Sequence, residues 1–103
     1  MTSPVPIRLW IKDPLAVLDY GEDWASDPST GGPWLADGEV IETSTWTVDD
    51  TSLHIDRDDI DGSITVVWLS AGSLGKLYLV RNEIVTNGGR TDVRTIAVFL
   101  RNR

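Results

Sequence analysis

The chain contains no cysteine. This excludes a disulfide framework, a thiolate metal site and a cysteine nucleophile, and it leaves the redox compartment unmarked. Histidine occurs once, at His54. No second imidazole or thiol is present to complete a zinc site. A Ser-His-Asp arrangement is formally open around His54 alone, but nothing resembles a nucleophile elbow. Basic residues are few, 9 Lys and Arg against 16 Asp and Glu, for a net charge of -7. Such a balance favours solubility and argues against a nucleic-acid surface, which needs a basic patch. No apolar run is long enough to span a membrane. The opening stretch, Met1 to Pro6, lacks the basic and apolar regions of a secretory signal, so synthesis and use, or assembly into something larger, are expected in a cytoplasm. Taken together, these absences predict no enzymatic activity, cofactor or metal, and neither nucleic acid nor membrane as a partner.

What remains is β-sheet. No stretch keeps a helical period over a useful length, and no internal repeat or low-complexity segment is present. At 103 residues the chain has the size of one domain. Tyr78, Val80, Asn82, Ile84 and Thr86 share one face of an extended chain, and Leu77, Leu79, Arg81, Glu83 and Val85 share the other. Asn87-Gly88-Gly89 breaks the run as a hairpin turn, because Gly and Asn tolerate positive φ. Thr91 to Leu100 returns with Ile96, Val98 and Leu100 on its buried side. Further strands are expected at Ile7 to Lys12, Leu15 to Trp24 with a bulge at Gly21, Glu39 to Val48, Ser52 to Ile55 and Ser63 to Ser70. Ser26 to Pro33 reads as a loop, Pro33 to Gly38 as one helical turn and Arg57 to Gly62 as an acidic loop. Short strands separated by turn signals predict an all-β, immunoglobulin-like β-sandwich of about seven strands, with a small open barrel as its competitor. Residues 1–12 read as an arm with a possible edge strand, and 13–103 as the sandwich domain.

Several constellations carry potential chemistry. Gly75 to Val80 has the spacing of a tyrosine corner, in which a Tyr near a strand start bonds back to upstream backbone. Asp56, Asp58, Asp59 and Asp61 form the densest carboxylate group, with Asp49 and Asp50 nearby. Calcium takes six to eight oxygens from such segments, but Ile60 breaks the EF-hand pattern, and a solvated acidic loop is the simpler expectation. Arg90 and Arg94 read first as part of a turn and a solvated strand. Of the five tryptophans, Trp46 is expected in the core and Trp68 at least partly so. Trp10, Trp24 and Trp34 serve either to cover the core's open end or to anchor an interface. Pro4 and Pro6 lack backbone donors, so the first residues pair poorly in their own sheet. Such an arm suits attachment to a neighbour, with Pro4, Pro6, Ile7, Leu9 and Trp10, and Trp34 as a further anchor, as the candidate partner-binding residues.

Segments from Asp13 to Trp24, Ser44 to Val48, Val67 to Gly72 and Gly89 to Asp92, together with Asn82 and Thr86, resemble a family of small immunoglobulin-like proteins of tailed bacteriophages and prophages. These proteins are encoded among head and connector genes. The resemblance spans roughly Lys12 to Leu100. The Asp27 to Pro33 stretch and the longer arm before Asp13 depart from its pattern. It carries no catalytic residue over. It implies an accessory structural protein of a virion, most concretely a capsid decoration or cement protein. Its partners would be the phage major capsid protein or other virion proteins, with a homo-oligomer possible. A neck, connector or tail-surface protein is the alternative, and a carbohydrate-binding module for host adhesion is the alternative of another class.

Overall fold

The computed structural model describes residues 8–27 and 30–102. Seven strands account for the regular structure: β1 (Arg8–Lys12), β2 (Leu18–Asp23), β3 (Ile41–Val48), β4 (Leu53–Asp61), β5 (Ile64–Ala71), β6 (Leu77–Thr86) and β7 (Thr91–Leu100). They form two sheets, one ordered β1-β7-β6-β3 and the other β2-β5-β4. This is the all-β sandwich of about seven strands expected from the sequence. In chain order the third, sixth and seventh strands share one sheet, and the second, fourth and fifth share the other. The first strand joins the larger sheet by running parallel to β7, with Arg8 opposite Ile96 and Lys12 opposite Leu100.

Alternation along the strands builds the core. Tyr78, Val80 and Ile84 of β6, and Ile96, Val98 and Leu100 of β7, all point inward and are buried. All but Ile84 meet Tyr20, Leu53, Val67 and Leu69 from the other sheet and Trp46 from their own, while Ile84 packs with Trp24 and Ile41 in a second cluster. Trp46 is core, as the sequence predicts. Trp68 lies on the outer face of the smaller sheet, half-buried, with the Arg57 guanidinium 3.9 Å above its ring. Burial of this kind is the main stabilising term of the fold, at about 25 cal/mol per Å² of apolar surface.

The tyrosine corner is present. The Tyr78 hydroxyl accepts the Ser73 backbone N–H at 2.8 Å and lies 2.5 Å from Ser52 Oγ. It ties the start of β6 to the connection before it and to the entry of β4. A second polar knot sits deeper. Trp24 Nε1 and Thr65 Oγ1 both donate to Asn82 Oδ1, at 3.1 and 2.6 Å, and Asn82 Nδ2 donates to Ser44 Oγ at 2.9 Å.

Three local expectations are corrected. Residues 57–61 are not a loop: β4 runs through them to Asp61 and pairs with β5, so its aspartates line an edge strand. The hairpin turn is Gly62-Ser63, with Gly62 at φ 61°, and a glycine at the first central position followed by Ser is its signal. Gly21 makes no bulge, because it pairs in register with Val66; the register shifts lie at Ile41/Thr43 and Ile55/Arg57 instead. Residues 33–38 form no helical turn. A turn closes there from Glu39 N–H to Ala36 C=O, with Gly38 at φ 77°.

Candidate docking surface

The outward face of the larger sheet is apolar at one end. Cross-strand register places Leu9, Ala97 and Leu79 in one row, and Ile11, Phe99 and Leu77 in the next. Side chains directly opposite each other share a face. Leu9 is 62% exposed, Leu77 50% and Leu79 42%. Leu9 and Ile11 of β1 and Leu77 and Leu79 of β6 thus stand in solvent on either side of buried Ala97 and half-buried Phe99 of β7, an apolar face across three strands. On β1 the apolar parity faces outward, while Lys12 points inward and is fully buried. Its Nζ donates to Asp13 O and Ala71 O, both at 2.9 Å, and burial lowers its pKa against the pull of Asp13 and Asp56.

The apolar surface continues around the β1 edge. β1 and β2 are edge strands of different sheets. Between them runs a groove of about 390 Å³ whose lining includes Trp10, Ile11, Leu18 and Tyr20. Trp10 leans on Tyr20 with ring centroids 5.6 Å apart. The connection leading into β2 adds Leu15, 94% exposed, and the exposed Val17. Monomeric soluble proteins seldom expose contiguous patches of this kind unless something covers them. The patch is held on a rigid base. Arg8 reaches from β1 to Glu22 of β2, and Arg94 of β7 donates to the same carboxylate at 3.1 Å. Arg94 also donates to Asp23 O and Ser26 O.

Trp34 is elsewhere. It packs edge-on against buried Trp24, with centroids 5.2 Å apart, and the Arg90 guanidinium sits 4.0 Å over its ring. Arg90 in turn pairs with Glu39. That pairing, helped by the Ala36 N–H and the Thr86 hydroxyl, holds the Glu39 carboxyl down at about 2. This cluster closes the end of the sandwich near the β6–β7 turn. The apolar patch lies towards the opposite end of β7, at Ala97 and Phe99, roughly 20–25 Å from Thr91 at about 3.3 Å per residue.

Of the candidate partner-binding residues, the structure places Leu9 on the outer apolar face, Trp10 on the opposite face of β1 against Tyr20, and Trp34 away from both. Pro4, Pro6 and Ile7 lie outside the described residues. Leu77, Leu79, Ile11 and Phe99 belong to the surface but were not among the candidates. Their signal was the run Leu77-Tyr78-Leu79-Val80, apolar on both parities where a sheet with one wet face would alternate. His54 is exposed on β4, opposite Ser70. Among the described residues no group of three or more His, Asp or Glu is placed to hold a metal ion, and no helix is long and apolar enough to cross a membrane.

No curated protein matches the sequence. A family model does, over residues 12–99, a span that includes β2 to β6, nearly all of β7 and the tyrosine corner. The match covers most of the chain, which therefore belongs to the podophage GP4 fiber-tail adaptor protein gp77 family and is a structural component of a tailed-phage virion.

Proposed function

We propose that this protein is a non-catalytic adaptor at the phage tail, joining a tail component to a fibre, and that the apolar face over Leu9, Ile11, Leu77, Leu79 and Phe99 is one of its joints. The observation that carries this reading is the patch itself. It spans three strands of one sheet and is uncovered among the described residues. An interface core is built from surface of this type. The family's description favours the tail over capsid decoration. The tryptophans favour a protein partner over a sugar. Carbohydrate stacks on open aromatic faces, whereas Trp34 and Trp68 each have a guanidinium over the ring and Trp10 leans on Tyr20.

The test is a Leu77→Asp/Leu79→Asp double variant, chosen because both side chains stand in solvent. It should keep its β spectrum and melt within a few degrees of wild type, yet fail to enter particles that lack the native protein. Wild-type occupancy would remove the face from consideration. Counting copies per particle tests the location. A dozen or so supports the tail, and hundreds would return the protein to the capsid. A hydrolase activity lost on His54→Ala would overturn the non-catalytic reading.

A further inference from the structure

We infer that the free edge of β3 is the seam at which two copies of this chain join, strand to strand, into one continuous sheet. β3 ends the larger sheet: β6 pairs with it on one side, and β4, which follows it in the chain, leaves for the other sheet. The four edge strands differ sharply in how they are guarded. β4 carries Asp56, Arg57, Asp58, Asp59 and Asp61, β2 carries Asp19, Glu22 and Asp23, and β1 carries Arg8 and Lys12. β3, Ile-Glu-Thr-Ser-Thr-Trp-Thr-Val, has one charge, Glu42, and neither lysine nor proline. Its register shift lies between Ile41 and Thr43, so Thr43 to Val48 run unbroken along β6. An uncharged, proline-free edge such as Thr43 to Val48 is a template for another strand.

The chemistry of β3 fits a second β3. In an antiparallel pairing centred on Thr45, Thr45 faces its own copy, Thr43 faces Thr47 and Ser44 faces Trp46. Outward residues then meet outward residues, and Thr–Thr pairs are favourable across strands. Glu42 falls opposite Val48, so no like charges meet. Self-pairing of β4 would instead set aspartate against aspartate. The two-fold axis runs perpendicular to the sheet, giving eight strands ordered from β1 through β3 to the second β3 and out to the second β1. Both apolar patches then face the same side at opposite ends. A two-point attachment of that kind multiplies modest single contacts. The inference stands on the edge's own composition and does not depend on which virion proteins the patch meets.

The absence of cysteine makes the test clean. Thr45→Cys places one thiol per chain at the axis, where opposed Cα atoms about 4.5–5.5 Å apart lie within disulfide range. Mild oxidation should link Thr45→Cys copies about tenfold faster than Asn102→Cys, an exposed control near the chain end. A mixture of Thr43→Cys and Thr47→Cys should link across the two variants in preference to within either. One strand pair buries less than a standard interface, so wild type should dimerise weakly, in sedimentation at about 0.1–1 mM. Thr45→Lys, with its side chain in solvent, should fold and stay monomeric. A wild type monomeric up to about 1 mM, with Thr45→Cys no faster than the control, would overturn the inference. So would a monomeric wild type whose Thr45→Lys variant fails to enter particles, since that result gives the edge to a strand of another protein.

Discussion

Asn82 is the side chain on which the two sheets are pinned. It is 1% exposed, and its amide binds partners from β2's end, β5 and β3 at once. Buried donors left without acceptors each cost about 1–3 kcal/mol. Asn82→Ala strips the acceptor shared by Trp24 and Thr65 and opens a small void, so urea unfolding should show a loss of about 3 kcal/mol. Tyr78→Phe is a milder cut at one atom. It leaves the ring in the core but deprives the Ser73 N–H and the Ser52 hydroxyl of their shared partner. A loss of about 1–2 kcal/mol is expected, with the far-UV β spectrum unchanged. If Tyr78→Phe were neutral, the corner would hold by packing alone.

At the scale of elements, the junction between β5 and β6 is the most constrained. Ala71 has φ 62°, the sole positive value among the described non-glycine residues, and Gly72 follows at 99°. A Cβ on Gly72 would lie 2.7 Å from Leu100 Cγ, so Gly72→Ala incurs both backbone strain and a clash with the last residue of β7. A large drop in melting temperature is expected, against near-neutral behaviour for a Leu77 variant two residues past the turn region. The β6–β7 hairpin was legible because Asn87-Gly88-Gly89 separates two runs of clear period two. β4 was not legible beyond Ile55, because an aspartate-rich run has poor strand propensity. Pairing with β5 and an exposed edge position override that propensity. The docking patch was half legible. Period two separates Leu77 and Leu79 from Tyr78 and Val80, but only tertiary placement says which set is covered. The parallel docking of β1, which puts Leu9 and Ile11 beside them, is set by contacts some 88 residues apart in the chain (Arg8 to Ile96).

For the whole molecule, the acid limb of stability follows from two carboxylates. Arg90 holds Glu39 at about 2, and Lys76, with Ser52, holds Asp50 at about 2. Unfolded, they return to ordinary values near 4.5 and 3.8. The unfolded chain therefore binds more protons in this window, and stability must fall as pH drops from about 5 towards 2. Thermal melts across that range should show the decline, and a Glu39→Gln/Asp50→Asn double variant should start lower at pH 7 and decline less. The parallel contact of β1 with β7 has a mechanical consequence. Arg8 lies at the leading end of one strand and Leu100 at the trailing end of its neighbour. Tension applied between these two points slides the strands along each other, so their hydrogen bonds share the strain and must rupture together. Tension between Leu77 and Phe99, which face each other at the open end of the hairpin, peels the bonds one at a time. Single-molecule pulling with handles at residues 8 and 101 should therefore meet a higher rupture force than pulling at 77 and 99, making the chain a tether that is strong along its ends and weak across its hairpin.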